Sequence, residues 1–256
     1  MSKIMLDLQV LKNYLNLISH NNNHLSLLFK NHVSSTNDYL NYRYARDLFP
    51  LLVLANNQRA SRGRGNKKWV SLNQSSLSFS FCLKVDSNNL DLRYLGYLSC
   101  VCLYESIRAV SQNYVKIKWP NDLYLNDKKV SGILIESLSK NKEVHLSIGV
   151  GININIPESY SIDQPHSNLS GNIDSEKLIY HFCNNIIENL DLKNRSKIIK
   201  KFNTNLYGYK KQVEISDNGN TFVGELLGIN SNGELIIKNN EKKICINNIN
   251  STMRLL

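Results

Sequence analysis

The fold is predicted from one stretch of the sequence, Val115-Lys-Ile-Lys-Trp-Pro-Asn-Asp-Leu-Tyr-Leu-Asn-Asp-Lys-Lys-Val-Ser-Gly-Ile-Leu-Ile-Glu136. Apolar residues alternate with lysines up to Trp119, which is the period of a strand with one covered face. Pro120 cannot donate to a ladder and Asn121-Asp122 favours a tight turn, so the first strand should end there. Apolar runs on either side of Asn126-Asp127 indicate two more strands. The stretch is therefore predicted to form two hairpins in series.

These hairpins would bring two lysines and a turn together. Lys118 lies near the end of the first strand, Lys129 lies near the start of the third, and the Asn121-Asp122 turn is between them. Cations beside a donor-rich turn suit an anionic ligand that approaches the backbone closely at Gly132. The alternative is a solvated sheet face with ordinary turns, and this stretch alone does not decide between the two.

A second basic segment favours the ligand-binding interpretation. No carboxylate occurs between Asp47 and Asp86, and the loop over 58–69 reads Gln-Arg-Ala-Ser-Arg-Gly-Arg-Gly-Asn-Lys-Lys-Trp. Glycine lets backbone N–H groups come close to an anion, arginine offers forked donors to phosphate, and an indole offers a face on which a base can stack. The sequence contains no Walker A motif and no GxGxxG pattern, so a nucleotide would be held by another route.

Composition and charge are typical of a soluble globular protein with anionic partners. The 256 residues are 42% hydrophobic and 20% charged, and the net charge of +10 points to phosphates, nucleic acid or an acidic protein. The five cysteines are never spaced as CxxC and lie mostly in apolar runs, so they are interpreted as reduced core thiols. No apolar run reaches about 18 residues and the N-terminus lacks the features of a signal peptide, so a cytoplasmic location is expected.

The periodicity along the chain predicts an α+β fold, in which a mixed β-sheet is packed with helices. Helices are predicted over 6–18, 39–48, 90–110, 174–190 and 195–207, and strands over 25–29, 51–55, 77–85 and 144–150. From Lys210 onward, short strands and the hairpin signals Asn218-Gly219 and Asn232-Gly233 indicate a small antiparallel barrel. Two domains are therefore predicted, a ligand-binding domain over 1–208 and a barrel over 209–256.

Four motifs occur in the order and spacing of one known family. They are Arg62-Gly-Arg64 with Trp69 downstream, Lys116-Ile-Lys-Trp-Pro-Asn-Asp122, Lys129-Val-Ser-Gly-Ile-Leu-Ile-Glu136 and Gly149-Val-Gly-Ile-Asn153. With these motifs the sequence resembles the biotin protein ligase (biotin–[acetyl-CoA-carboxylase] ligase) family, from about residue 5 to its end. The resemblance implies a catalytic domain with a class II aminoacyl-tRNA synthetase-like fold, followed by a small SH3-like barrel.

The resemblance also implies an activity. Members of the family activate biotin with ATP to biotinyl-5′-AMP, release pyrophosphate, and transfer biotin to a lysine of a biotin carboxyl carrier protein or domain of a biotin-dependent carboxylase. The first step needs alignment of two anions and charge stabilisation at phosphorus, so no protein nucleophile is required. Mg²⁺ would be held mainly by the phosphates and by water. No nucleic acid or membrane partner is expected, and the resemblance leaves a homodimer open.

The resemblance assigns site residues position by position. The catalytic cations would be Lys129, Arg64 and Lys118. The biotin-binding positions would be Ser35, Thr36, Gln58, Ser61, Arg62, Gly63, Lys129, Gly132 and Gly151. The ATP- and adenylate-binding positions would be Arg64, Trp69, Lys118, Asn121 and Asn153, with the indole stacked on adenine. Local alternatives stay open: Ser35 and Thr36 as helix caps, Trp69 as a core aromatic residue, and Asn121 with Asp122 as organisers of the turn that places Lys118.

The chain departs from the family pattern in the basic loop and near its start. The family loop usually reads Gly-Arg-Gly-Arg-x-Gly, whereas Ser61 stands at the first glycine and Gly65-Asn66 replaces x-Gly. Asn66 is the milder change because asparagine tolerates left-handed backbone angles, and Ser61 is expected to alter how tightly the loop closes. About 34 residues precede Ser35, too few for the N-terminal helix-turn-helix of many members, so a ligase without repressor function is expected.

Two alternative functions remain. A lipoate or octanoate transferase would share the fold and would also acylate a carrier lysine, although the segments over 58–69 and 118–122 resemble the biotin branch. A basic nucleic-acid-binding protein would use the Arg-Gly loop as its electrostatic footprint and would bind with a steep salt dependence.

Overall fold

The computed structural model describes residues 6–20, 23–41, 49–87, 90–140, 143–157, 160, 165–248 and 250–256. The helix predicted over 39–48 lies mostly outside these residues, and its described part belongs to a 3-10 helix over Thr36–Asn41. The α-helices are α1 (Leu8–Leu15), α2 (Leu92–Val110), α3 (Ser175–Asn189) and α4 (Arg195–Thr204). The strands are β1 (Ser19–His20), β2 (Asn23–His24), β3 (Ser26–Val33), β4 (Leu51–Gln58), β5 (Ser76–Asp86), β6 (Lys116–Lys118), β7 (Asp122–Leu125), β8 (Lys128–Lys140), β9 (Glu143–Asn153), β10 (Gln212–Asp217), β11 (Asn220–Ile229), β12 (Leu235–Asn239), β13 (Lys242–Ile246) and β14 (Thr252–Leu255).

A seven-stranded mixed sheet forms the larger part of the fold. Its strand order is β3-β4-β5-β9-β8-β7-β6, and β3 and β4 run parallel while the other neighbouring pairs are antiparallel. The two hairpins predicted in series are β6-β7 and β7-β8, and the turn between the latter two places Asn126 and Asp127 at φ of 51° and 59°. This left-handed geometry is one that Asn and Asp adopt more readily than most residues.

Helices cover one face of this sheet. Asp91 begins α2 by accepting hydrogen bonds from the backbone N–H groups of Arg93 and Tyr94 at 2.9 and 3.1 Å, which is why the helix starts two residues later than predicted. α3 packs on α2 and on the sheet, where Phe182 meets Phe79 of β5 edge-on at 5.6 Å between ring centroids. None of the described helices is both long enough and apolar enough to cross a membrane.

The C-terminal strands form a separate antiparallel sheet with the order β13-β12-β11-β10-β14. Its first hairpin turns at Asn218 and Gly219, with φ of 47° and 83°, as the Asn-Gly signal predicted. The predicted helix over 195–207 is wrong at its end, because α4 stops at Thr204. Residues 205–207, here called the edge segment, instead hydrogen-bond to Ile117 of β6, from Ile117 N to Asn205 O at 2.9 Å and from Tyr207 N to Ile117 O at 2.8 Å.

The two sheets share one hydrophobic core. Side chains of both sheets and of α2, α3 and α4 belong to a single buried cluster. Polar contacts join them as well: the Asn203 amide donates to Ile229 O at 2.9 Å and accepts from Ile229 N at 2.8 Å, and the Tyr97 hydroxyl donates to Gly233 O at 2.5 Å. The domain boundary near residue 208 stays a prediction.

Candidate active site

A cavity of about 360 Å³ lies at one end of the seven-stranded sheet. All of the predicted site residues except Lys118 and Asn153 line it. The lining residues among them are Ser35, Thr36, Gln58, Ser61, Arg62, Gly63, Arg64, Trp69, Asn121, Lys129, Gly132 and Gly151. The C-terminal part of the chain contributes Asn250 and Thr252 to the same cavity. Segments that are distant in sequence therefore meet at one site.

One side of the cavity, here called the sheet wall, consists of Lys129 and Gly132 on β8 and Gly149 and Gly151 on β9. Gly132 and Gly151 face each other across the β8-β9 ladder. A Cβ atom on Gly151 would lie 2.3 Å from Cε2 of Trp69, a distance that no real side chain tolerates. A Cβ atom on Gly149 would lie 2.5 Å from the amide oxygen of Asn37. The glycines thus make room for side chains that pack onto the strands.

The sheet wall also carries a nearly buried ion pair. Lys129 Nζ lies 2.7 Å from Asp122 Oδ1, and the two side chains are only 14% and 17% exposed. The same ammonium lies 5.8 Å from the centroid of the Trp69 indole. A lysine ammonium has three donors, so the ion pair leaves two for an anionic ligand in the cavity.

Asn121 organises the turn that leads to this ion pair. Its side-chain amide donates to Ile133 O at 2.6 Å, and its backbone carbonyl accepts from Ile133 N at 3.0 Å. Asn121 also lines the cavity. The turn-organising role that the sequence left open is therefore present, and the predicted contact with ATP stays a prediction.

The opposite side, here called the loop wall, is the segment 61–69. Its ends are joined by hydrogen bonds from Trp69 N to Ser61 O at 3.2 Å and from Ser61 Oγ to Trp69 O at 2.6 Å. Inside the loop, Gly63 N donates to Lys67 O at 2.6 Å, and Gly65 adopts the left-handed φ of +62°. The serine that departs from the family pattern thus closes the base of the loop.

Two arginines attach the loop wall to the rest of the protein. The Arg62 guanidinium donates to Asp38 at 2.7 Å and to Glu136 at 3.1 Å, and the hydrogen bond with Asp38 raises the pKa of Arg62 despite partial burial. Arg64 donates to Ser251 O at 2.8 Å, and burial lowers its pKa. Arg64 therefore links the loop to the C-terminal part of the chain at the cavity.

The neutral part of the cavity is a hydrogen-bonded network. Gln58 Oε1 accepts from Thr36 N at 2.8 Å and from Thr36 Oγ1 at 3.2 Å. Ser80 Oγ lies 2.7 Å from Thr36 Oγ1 and 2.5 Å from Asn37 Oδ1, and its single proton can be donated to either oxygen. The network holds the start of the 3-10 helix against β4 and β5, so Ser35 and Thr36 are at once local helix-start residues and cavity residues.

Sequence reasoning missed Asn37 and the two acidic partners of Arg62. Asn37 is buried, accepts from Ser147 Oγ at 2.9 Å, and donates to Glu136 Oε2 at 2.7 Å. Asparagine beside Ser35 and Thr36 is typical of a helix start, and nothing local in the sequence indicates these long-range contacts. Glu136 ends the motif that begins at Lys129, and its position two residues after a cavity-lining segment is the one signal that could have suggested a role.

Lys118 and Asn153 do not line the cavity. Lys118 Nζ donates to the Tyr124 hydroxyl at 2.9 Å, and burial lowers the pKa of Lys118. The Asn153 amide donates to Ser167 O at 3.2 Å and to Lys129 O at 3.4 Å. Asn153 thereby anchors the segment around Ser167 beside Lys129. The predicted contacts of Lys118 and Asn153 with a nucleotide stay predictions.

Mg²⁺, which the family resemblance implies, meets a single candidate carboxylate in the described part of the cavity wall. That carboxylate is Asp122, which is paired with Lys129. Among the residues that the structure describes, no group of three or more His, Cys, Asp and Glu side chains is placed to hold a metal ion. This donor set fits a cation that keeps most of its ligands as phosphate oxygens and water.

The fold and the cavity together define an α+β protein with a cavity lined by cationic side chains at the end of a mixed sheet. Residues 29–153 match the model of the Biotin/lipoate A/B protein ligase family. Biotin–protein ligase 2 of Arabidopsis thaliana is 31% identical over 134 residues, which cover 50% of this chain and 40% of that protein. A biotin–[acetyl-CoA-carboxylase] ligase of Paracoccus denitrificans is 32% identical over 105 residues, which cover 40% of this chain and 43% of that protein. In each case the match covers less than half the length of the relative.

The fold has a counterpart among solved structures. A biotin protein ligase from Aquifex aeolicus in complex with biotin and ATP matches with a TM-score of 0.77, covering 90% of this chain and 99% of that one at 24% identity. This likeness confirms the predicted fold, a mixed sheet with packed helices followed by a small antiparallel sheet of the SH3-like kind. The resemblance to biotin protein ligases that the sequence motifs indicated is likewise confirmed.

Proposed function

We propose that the chain is an ATP-dependent biotin–[biotin carboxyl-carrier protein] ligase. The observation that carries the proposal is the pairing, in one cavity, of a neutral hydrogen-bonding network at Thr36 and Gln58 with a nearly buried ammonium at Lys129. Biotin has a matching division, since its ureido head is neutral and its carboxylate tail is anionic. The glycines of the sheet wall let Trp69 and Asn37 pack against the strands, and the cavity of about 360 Å³ that remains would receive such a ligand.

In the first step, a biotin carboxylate oxygen attacks the α-phosphorus of ATP. A new P–O bond forms, the bond to the β-phosphate oxygen breaks, and pyrophosphate leaves with the electron pair. Lys129 and Arg64 would offset the charge of the two anions and hold them in line, which is the main catalytic requirement of this chemistry. Trp69 would offer its indole face to the adenine. Mg²⁺ entering with the phosphates would add further charge neutralisation.

In the second step, the amine of an acceptor lysine attacks the acyl carbonyl of biotinyl-5′-AMP. A C–N bond forms, the acyl C–O bond to the phosphate breaks, AMP leaves with that electron pair, and the amine releases a proton to solvent. We assign the acceptor to a biotin carboxyl carrier protein or domain of a biotin-dependent carboxylase, in line with the name of the Paracoccus relative. The net charge of +10 suits an acidic carrier surface. A homodimer stays a prediction.

The experiment that tests the first step is mass spectrometry of the purified protein mixed with biotin, ATP and Mg²⁺. Biotinyl-5′-AMP retained on the protein is the expected product, with pyrophosphate in the supernatant. A parallel sample without ATP controls for carried-over adenylate. A folded protein that forms no adenylate from biotin would contradict the proposal.

A second candidate substrate class follows from the family itself, whose description includes lipoate ligases. Octanoate and lipoate are therefore offered in the same assay, singly and in competition with biotin. Preference for biotin is expected because the neutral network at Thr36 and Gln58 would be left without ligand partners by an unbranched fatty acid. Adenylation of octanoate or lipoate in preference to biotin would favour the second candidate.

A further inference from the structure

Tyr124 lies on β7, between the two strands that carry the predicted phosphate-binding lysines. Lys118 is on β6 and Lys129 is on β8. On β7 it faces Lys116 of β6 on one side and Lys129 of β8 on the other. Leu123 is buried in the core, whereas Asp122 and Tyr124 on either side of it are half-buried and share the opposite face. One face of β7 therefore places a carboxylate and a phenol between Lys118 and Lys129.

Tyr124 makes two distinct contacts with the Lys118 ammonium. The phenol oxygen accepts a hydrogen bond from Lys118 Nζ at 2.9 Å, and the same Nζ lies 4.6 Å from the centroid of the ring. The nearby carboxylate of Asp122 is engaged with Lys129 at 2.7 Å. The positive charge of Arg64 is also nearby and disfavours the charged form of Lys118. Tyr124 is thus the side chain best placed to hold this half-buried cation.

Tyr124 is itself held from behind by the edge segment. The Tyr207 ring packs on the Tyr124 ring at 5.0 Å between centroids, with an interplanar angle of 36°. Burial and the neighbouring Asp127 raise the pKa of Tyr207 to about 12, so its hydroxyl stays protonated at physiological pH. The backbone of Tyr207 is fixed by its hydrogen bond to Ile117 of β6.

We propose that Tyr124 is a positioning residue for nucleotide binding, which holds the Lys118 ammonium beside the cavity with two of its three donors free for ATP phosphates. A lysine side chain is long and flexible, so a partner that fixes it before the ligand arrives reduces the ordering cost of binding. The inference rests on the proposed function, because it assumes that ATP is a substrate. It adds a residue to which the sequence motifs and the cavity lining assigned no role.

The test is the Tyr124→Phe variant, which removes only the hydroxyl. Pyrophosphate release is measured while ATP and biotin are varied separately. The KM for ATP is expected to rise roughly fivefold, the scale of one net hydrogen bond, while the KM for biotin and the melting temperature stay unchanged. Tyr124→Leu removes the ring as well, and a rise of roughly twentyfold is expected.

Tyr114→Phe is the matched control. Tyr114 is 77% exposed, lies outside the cavity, and also carries a cation over its ring, with Arg108 Cζ at 4.7 Å from the centroid. Loss of a tyrosine hydroxyl there should leave both KM values unchanged.

A double-mutant cycle with Lys118→Met decides whether Tyr124 acts through Lys118. In the Lys118→Met background, Tyr124→Phe is expected to cause no further change in kcat/KM for ATP, because the group that it positions is gone. An equal loss in both backgrounds would overturn the proposal, and so would an ATP KM in Tyr124→Phe that is unchanged or lower than in the wild type. A wild-type protein that forms no adenylate would instead overturn the proposed function, so the two failures are distinguishable.

Discussion

The sheet wall of the cavity is shaped by strand register, whereas the loop wall is shaped by side-chain contacts. On the sheet wall, Gly132 and Gly151 occupy facing ladder positions, so the available space is fixed by backbone pairing. On the loop wall, the shape depends on the Ser61 hydroxyl and on the ion pairs of Arg62. Substitutions on the sheet wall should therefore change what fits, and substitutions on the loop wall should change how long a ligand stays.

The largest effect is expected on the sheet wall, at its charged residue. Lys129→Ala should lower the rate of adenylate formation by about a hundredfold or more, because a preorganised, nearly buried cation is lost where negative charge develops. Lys84→Ala is the matched control, since Lys84 forms an exposed ion pair with Glu143 at 2.6 Å and does not line the cavity. Both variants are checked for folding by circular dichroism. Near-normal turnover in Lys129→Ala would refute its assigned role.

A smaller effect is expected at the glycine that meets the indole. Gly151→Ala would place a methyl group 2.3 Å from Trp69 Cε2, so the ring must move and kcat/KM for ATP should fall roughly tenfold. Gly96→Ala on α2 is the control, because its added methyl group meets no atom within 4 Å. Tryptophan fluorescence should change in Gly151→Ala only. An unchanged spectrum together with unchanged kinetics would show that the sheet wall is more tolerant than its register suggests.

On the loop wall, Ser61→Gly restores the residue that the family usually has and removes the 2.6 Å bond to Trp69 O. Dissociation of biotinyl-5′-AMP should become about fourfold faster, the scale of one hydrogen bond, with little change in the rate of its formation. Ser61→Thr keeps the hydroxyl and should dissociate the adenylate at the wild-type rate. Equal dissociation rates in Ser61→Gly and Ser61→Thr would remove the hydroxyl from the account of loop closure.

The smallest effect at neutral pH is expected from Lys118→Arg, but it should grow with pH. Burial lowers the pKa of Lys118. The charge of Asp122 raises this pKa, and the charge of Arg64 lowers it further. The charged form is the one that attracts phosphate, so the KM for ATP should begin to rise at a lower pH than for an exposed lysine. Arginine keeps its charge throughout, so this rise should shift to higher pH in Lys118→Arg. KM values for ATP between about pH 7 and pH 10 provide the measurement, and superimposable profiles would contradict the prediction.

Local sequence patterns predicted the strands that carry the sheet wall well. Asn126-Asp127 marked a tight turn and the alternation before Pro120 marked β6, because each of these signals acts over a few residues. The close approach of a ligand at Gly132 stays a prediction. The loop wall could not be predicted in the same way. Arg62 pairs with Asp38 and Glu136, which lie 24 and 74 positions away, and no local period connects them.

One wrong prediction and one missed residue have the same physical origin. The 195–207 segment has helical periodicity up to its end, yet Ile117 on the edge of β6 takes residues 205–207 into sheet hydrogen bonds. Asparagine is a common helix-cap residue, yet the side-chain amide of Asn37 forms hydrogen bonds with Ser80, Ser147 and Glu136. In both cases a tertiary partner determined the outcome, and propensity alone does not specify that partner.

The core shared by the two sheets has a consequence for unfolding cooperativity. Domains joined by small polar interfaces melt separately, whereas elements that complete one another's core melt together. Phe202 of α4 packs edge-on against Tyr97 of α2 at 4.9 Å, and the neighbouring Asn203 is doubly bonded to Ile229 of β11. Calorimetry should therefore record a single transition for the chain. Because Asn250 and Thr252 line the cavity, a ligand bound there would raise the melting temperature of the C-terminal sheet along with the rest.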